Sequence, residues 1–287
     1  MRLDEALAQA VTHLANQGVE SPRLDAELLL AHVLGVNRAA VLARPEQRLT
    51  LKQLTRYREL TARRGHREPL AYIVGHREFF GLDFMVDPRV LIPRPETELL
   101  VERALAMAHR RPAAPSIADV GAGCGAIAVA LAVHLPGAAV YALDRSAEAL
   151  EVVAENALRH GVAGRVHCLP GDLLFALPGP VDLIAANLPY VTTDEWQGLA
   201  PEIRDHEPRS ALDGGPDGLA LIRQLLETAG PCLRPAGAIL LEIGAGQGVA
   251  ATSLARSCLP QARVQLVQDY AGLDRLVIVE TGLAARP

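Results

Sequence analysis

Seven short apolar runs alternate with helix-sized segments between Ser116 and Val279, and this alternation restricts the chain to few folds. The runs are Ser116–Val120, Ala139–Leu143, Arg165–Leu169, Val181–Ala186, Ala238–Ile243, Val264–Val267 and Arg275–Val279. Helices fit between them at Ala126–His134, Ala147–His160, Gly218–Ala229 and Gly248–Ser257. Parallel strands need crossovers long enough to hold a helix, and four of the six connections hold one. The pattern predicts an α/β fold: a doubly wound, mostly parallel, seven-stranded sheet.

The first third of the chain reads differently. Leu3, Ala6, Leu7, Ala10, Val11 and Leu14 recur at helical spacing, and that helix should end near Gly18. A second helix should follow Ser21-Pro22 and stop at Gly35, and another should run from Leu51 to Arg64. From Gly75 to Val90 the period changes to the alternation of a β-hairpin, through Phe79, Phe80, Leu82, Phe84 and Val86. The expected organisation is a small helical bundle over residues 1–75, a hairpin linker over 76–90 and a sheet domain over 91–287. The sheet domain opens on Leu91–Glu98 (LIPRPETE), whose prolines and acids suit the first turn of a helix.

Composition narrows the function classes. A formal charge of −5 argues against a protein held mainly by nucleic-acid phosphates. Cys124, Cys168, Cys232 and Cys258 are far apart and form no C-x-x-C pair, so no zinc site is expected and a reduced, cytoplasmic protein fits best. No apolar run approaches the roughly 20 residues that cross a bilayer, and Asp4 and Glu5 interrupt any signal-like start.

Chemistry concentrates after the first and fourth strands. Gly121, Ala122, Gly123, Cys124 and Gly125 follow a strand and open a helix. Such a loop lets backbone approach a ligand and offers unpaired N–H groups to a carboxylate or phosphate. With Ala126 it also satisfies the dinucleotide fingerprint, so a hydride-transfer enzyme is a rival reading. Asp144 ends the next strand, nineteen positions past Gly125, where a carboxylate can accept both ribose hydroxyls. NAD and S-adenosylmethionine share that ribose. Asp172 and Leu173, after the third strand, are placed to meet an adenine by hydrogen bond and by packing. A near repeat of the glycine loop, Glu242–Gly248, has too little sheet after it to serve a nucleotide and reads as a structural turn.

Asn187-Leu188-Pro189-Tyr190 separates methyl transfer from hydride transfer. An amide or base amino nitrogen has a delocalised lone pair and must be aligned before it can attack a sulfonium methyl. The Asn187 side-chain oxygen and the Leu188 carbonyl can both accept from one NH2 group. Pro189 restricts Leu188 to extended geometry, and Tyr190 can stack on the planar group. These four residues are the expected catalytic and substrate-binding set, with Asn187 also bordering the cofactor. The cofactor set is Gly121 to Gly125, Asp144, Asp172, Leu173 and Asn187, and the cofactor is S-adenosylmethionine. Arg56, Arg58, Arg63, Arg64 and Arg67 form a basic run that reads as a solvated face or as a docking surface for an acidic partner or RNA.

The chain resembles the release-factor glutamine methyltransferases, the PrmC/HemK family, over essentially its whole length. The resemblance rests on Glu68–Gly75 (EPLAYIVG), Phe79–Leu82 (FFGL), Ile92–Glu98 (IPRPETE) and Glu207–Leu212 (EPRSAL), together with the Asp119 loop, Asp144 and the Asn187 segment. It implies an N-terminal helical domain that docks the substrate protein, and a Rossmann-like S-adenosylmethionine-dependent methyltransferase domain whose target is the glutamine in the Gly-Gly-Gln motif of peptide chain release factors. It also implies a monomer that needs no membrane and no direct nucleic acid. One position departs: the family's usual segment is Asn-Pro-Pro-Tyr, and Leu188 stands at its second place. Asn-Leu-Pro-Tyr is found in ribosomal-RNA adenine dimethyltransferases, so an amino-methyltransferase of rRNA or DNA is the alternative.

Overall fold

A computed structural model describes residues 1–110 and 114–282; residues 111–113 and 283–287 lie outside it. In chain order the elements are α1 (Leu3–Asn16), α2 (Pro22–Leu34), α3 (Arg38–Leu42), α4 (Leu51–Gly65) and α5 (Leu70–Val74), then β1 (His76–Phe79) and β2 (Leu82–Met85). There follow α6 (Glu98–Ala108), β3 (Ser116–Val120), α7 (Ala126–His134), β4 (Ala139–Asp144), α8 (Ala147–Arg159), β5 (Val166–Pro170) and β6 (Val181–Ala186). The chain continues with α9 (Thr193–Trp196), α10 (Pro201–Arg204), α11 (Ala220–Ala229), β7 (Leu233–Glu242), α12 (Gly248–Cys258), β8 (Arg263–Gln268) and β9 (Asp274–Glu280).

The chain divides into two compact units. One comprises Met1–His76 with Ala200–His206; the other comprises the described residues of Arg77–Leu199 and Glu207–Pro287. In the first, Leu14, Leu29, Leu30, Tyr57 and Leu60 are fully buried and form one apolar cluster. The buried Tyr57 hydroxyl donates to the Ala26 carbonyl at 3.0 Å, so its polar end is satisfied inside that cluster. Helix α4 starts on a reciprocal capping box between Thr50 and Gln53, and α2 ends on Gly35 in the left-handed conformation. The short helices α3, α5, α9 and α10 were not legible in the sequence, because four or five residues are too few to display a period.

The basic run of α4 is largely consumed inside its own unit. Arg64, buried, donates to Asp25 at 2.7 Å and to Glu202 at 2.9 Å. Arg67 holds the same Glu202 at 2.6 Å, and Arg63 pairs with Glu68 at 2.5 Å. Burial pushes the Glu202 carboxyl up, but Arg67 and Arg64 outweigh it and hold it at about 2. Arg56 and Arg58 remain exposed.

In the second unit the seven strands lie in the order β5-β4-β3-β6-β7-β9-β8. β3 pairs in parallel with β4 and β6, β4 with β5 and β6 with β7, whereas β9 runs antiparallel to β7 and β8. Every residue of β3 and β6 is buried, as expected for central strands covered on both faces. The sheet grows one way from β3 through β4 and β5, and the other way through β6 and β7. Ligands of such sheets bind beyond the carboxyl ends of the strands at this reversal. β7 begins at Leu233 rather than Ala238, and a register irregularity opposite Val181 and Leu183 accommodates the extra length. No helix among the described residues is long and apolar enough to cross a membrane.

Candidate active site

The glycine loop is built from the end of β3 outward. Gly121 and Ala122 both donate to the Leu143 carbonyl, at 2.8 and 3.0 Å, which folds the loop over the end of β4. Asp119, fully buried, accepts from the Ala128 N–H at 2.9 Å and so anchors the first turn of α7. Its second oxygen, Oδ1, has no hydrogen-bond partner among the described residues. Burial pushes this carboxyl up to about 7 against the Ala128 N–H, and Asp144 adds to the rise. Gly121 has φ +75°, and a Cβ there would lie 3.0 Å from Leu188 Cδ2, so loop and Leu188 fit only without a side chain. Burial likewise pushes the Cys124 thiol up to about 12, which keeps it an inert packing group.

Asp144 is aimed by backbone. Its Oδ2 accepts from Gly123 N–H and its Oδ1 from Ser146 N–H, each at 2.9 Å. A carboxylate has about four lone-pair positions, so two remain for a ligand's hydroxyls. Ser146 caps α8 through Ala149 N–H at 3.1 Å, which leaves the capping duty to Ser146 rather than to Asp144. Leu173 has φ +47°, a strained conformation for a leucine, and the exposed Asp172 precedes it in a turn closed by Phe175 N–H on the Asp172 carbonyl.

At the end of β6, Asn187 Nδ2 donates to Thr97 Oγ1 at 3.0 Å, and Oδ1 accepts from none of the described residues. The amide is thereby oriented with its acceptor end free. Leu188 is buried in the sheet core, so its side chain packs while its carbonyl belongs to the strand exit. The Tyr190 hydroxyl donates to Glu242 Oε1 at 3.3 Å. Burial and then the neighbouring Glu242 push this phenol up to about 12.

One cavity of about 280 Å³ gathers Gly121, Ala122, Gly123, Cys124, Asp144, Asp172, Leu173, Asn187, Leu188 and Pro189. Gly125 and Tyr190 are not among its lining residues, and neither is any residue of the second glycine turn. Pro93, Arg94 and Thr97 also line it, and sequence reasoning had assigned that stretch only to a helix start. Arg94 is held by Glu207 at 2.5 Å, and the other Glu207 oxygen accepts from Ile92 N–H at 3.1 Å. Glu207 is itself buried, so this pair fixes the LIPRPETE segment as one wall. Only the shared membership of Ile92–Glu98 and Glu207–Leu212 in the same resemblance hinted that they meet; nothing in their spacing did.

The geometry offers an aligned carbonyl-type acceptor beside a glycine loop, a ribose-sized carboxylate and a helix N-terminus. Comparisons with known proteins agree with it. Residues 5–75 match the family described as PrmC N-terminal domain, and residues 95–203 match the methyltransferase small domain. A release factor glutamine methyltransferase of Moorella thermoacetica is 48% identical over 278 residues, covering 96% of this chain and 97% of that protein. One from Nitratidesulfovibrio vulgaris is 42% identical over 285 residues, covering 98% and 96%. A methyltransferase structure from Pyrococcus furiosus superposes with a TM-score of 0.52 at 18% identity, covering 71% of this chain and 91% of that one, which speaks for the fold. With nearly its whole length matched at such identity, the chain belongs to the release factor glutamine methyltransferase family.

Proposed function

We propose that this chain transfers a methyl group from S-adenosylmethionine to the side-chain amide nitrogen of the glutamine in the Gly-Gly-Gln motif of peptide chain release factors. The observation that carries the reading is Asn187, whose NH2 end is tied to Thr97 while its oxygen is left to accept at the cavity. The lining fits the methyl donor. Gly121 to Gly123 and Cys124 would take its amino-acid end, with Gly125 shaping the helix start. Asp144 would take its ribose, and Asp172 and Leu173 its adenine. When bound, that donor supplies an electrophilic sulfonium methyl.

The chain's own residues then do the aligning. Asn187 Oδ1 and the Leu188 carbonyl accept the two hydrogens of the glutamine amide, which points the nitrogen's lone pair rather than its hydrogens at the methyl. Pro189 fixes the extended backbone that aims the Leu188 carbonyl. Tyr190 shapes the slot from behind, through its backbone and its bond to Glu242. As the new N–C bond forms and the donor's S–C bond breaks, the amide becomes cationic and acidic, and it returns to neutrality by losing a proton to water. No strong general base is required. The helical unit over residues 1–75 would dock the release factor in the cytoplasm, the enzyme acting as a monomer without nucleic acid, with exposed Arg58 and Arg56, the latter in a surface pair with Glu59 at 3.4 Å, as its candidate cations.

The test is methylation of purified release factor with labelled S-adenosylmethionine, followed by peptide mapping. Label on the Gly-Gly-Gln glutamine is expected. Label only on RNA or DNA supplied in its place would overturn the reading in favour of a nucleic-acid amino-methyltransferase, the activity suggested by Leu188.

A further inference from the structure

The second glycine turn, Glu242–Gly248, is not among the residues lining the cavity, yet its polar side chains converge on Tyr190, the one residue of the Asn187 segment outside that lining. Gln247 Nε2 donates to the Tyr190 carbonyl at 2.9 Å, and Gln247 Oε1 accepts from Gly244 N–H at 2.8 Å. The Gln247 amide is thus locked between the turn and the segment. Glu242, 1% exposed, accepts from the Tyr190 hydroxyl at 3.3 Å. The Thr97 hydroxyl faces the same carboxylate, although Glu242 Oε2 closes no hydrogen bond with any of the described residues. Thr97 in turn orients Asn187. From the opposite side Gly218, at φ +69°, lies against the Tyr190 carbonyl so closely that a Cβ would collide with it and with Gln247 Nε2.

A buried carboxylate with one unpaired oxygen is costly and would ordinarily be replaced by an apolar side chain. Here every polar group that faces it leads back to the catalytic segment, save Arg275 and Glu96, which act on it as charges of opposite sign. Arg275 is itself committed to Asp269 at 3.3 Å.

Resting on the proposed function, we infer that Glu242 and Gln247 are positioning residues for methyl transfer: the second glycine turn clamps Tyr190 at both its hydroxyl and its carbonyl, and through Thr97 it sets the Asn187 amide. Neither residue touches substrate. Glu242 acts as a hydrogen-bond acceptor, and Gln247 as a two-ended amide brace.

The experiment uses the full chain and compares Glu242→Leu, Glu242→Gln, Gln247→Ala and Tyr190→Phe. Glu242→Leu and Gln247→Ala should lower kcat on release factor by roughly 10- to 100-fold, because small displacements of an aligned group cost rate of that order. KM for release factor and the Kd of S-adenosylmethionine should stay within about threefold of wild type, since neither surface is altered. Glu242→Gln keeps an acceptor in place and should restore most of the rate lost in Glu242→Leu. Tyr190→Phe combined with Glu242→Leu should be no slower than the slower of the two singles, because both cut one bond. A wild-type kcat in Glu242→Leu, a Gln variant as slow as the Leu variant, additive losses, or equal loss of cofactor affinity and melting temperature would each overturn the clamp. A wild-type enzyme that leaves the Gly-Gly-Gln glutamine unmodified would sink the proposed substrate instead. The clamp is then read from the side-chain NH2 resonances of Asn187 in nitrogen–proton spectra. They should shift or broaden in Glu242→Leu and Gln247→Ala, and unchanged resonances would refute it.

Discussion

Replacing Thr97 with valine removes the hydroxyl that orients Asn187 and that also faces Glu242. Valine has nearly the shape of threonine, and Thr97 is 4% exposed, so packing is conserved and only the hydroxyl is lost. The hydroxyl accepts from Asn187 Nδ2 at 3.0 Å, an ordinary neutral hydrogen bond with a net value of about 1 kcal/mol. That energy is what favours the amide orientation with Oδ1 free. Without it, the flipped orientation, which presents an NH2 to an NH2, becomes comparably populated. If all of it is lost from alignment, the rate falls by about fivefold, since 1.4 kcal/mol is a factor of 10. Removal of the whole acceptor in Asn187→Ala should cost on the order of 10²- to 10³-fold. Thr97→Val should therefore fall between wild type and Asn187→Ala, with melting temperature little changed. The assay is single-turnover transfer of label from saturating S-adenosylmethionine to intact release factor, run on both singles and on the double variant. The double should match Asn187→Ala alone, because Thr97 acts through Asn187. A wild-type rate in Thr97→Val, a double variant slower than Asn187→Ala, or a matching drop in cofactor affinity would refute the reasoning.

Asn187→Ala itself should leave S-adenosylmethionine affinity and stability close to wild type by calorimetry, because its described contact is with Thr97 and its free oxygen faces the cavity. Asp144→Ala should weaken cofactor binding by roughly 1.5 to 3 kcal/mol, the value of hydrogen bonds to a charged acceptor; unchanged affinity in a titration would move the ribose elsewhere. Glu202→Gln should destabilise the protein by about 3 kcal/mol near neutral pH, since one pKa unit is about 1.4 kcal/mol and the folded carboxyl sits at about 2 against an ordinary 4.5. Its folded pKa is lowered, so this stability is present above pH 4.5 and is lost as pH falls toward 2. Denaturant melts of mutant and wild type should therefore converge in acid, and a gap that persisted there would exclude the ion pairs as its source. Removing residues 1–75 should hurt methylation of whole release factor far more than that of a short Gly-Gly-Gln peptide. It should also lower the melting temperature, because Glu202 loses Arg64 and Arg67; equal loss on both substrates would show that the helical segment is not the docking element.

The strands of the sheet, and the strand ends that carry the candidate site, were legible in the residue pattern. Five- and six-residue apolar runs such as Val181–Ala186 are buried on both faces, and this leaves a hydrophobic signature that does not depend on what they pack against. The glycine loop, Asp144 and Asn187 were readable for a similar reason: each stands at the carboxyl end of a strand, where topology alone makes neighbours of residues distant in sequence. Tertiary structure decided the rest. Nothing in the spacing of Glu207 predicts that it holds Arg94 and Ile92, 113 and 115 positions away. The basic run of α4 looked like a free surface because Asp25 and Glu202, which neutralise Arg64 and Arg67, are supplied by other elements. Tyr190 reads as a stacking residue by type, and only the position of β7 beside β6 brings Glu242 to its hydroxyl. Periodicity reports which face of an element is apolar; the partner of a polar side chain is fixed by where the chain returns, and that is written in no local pattern.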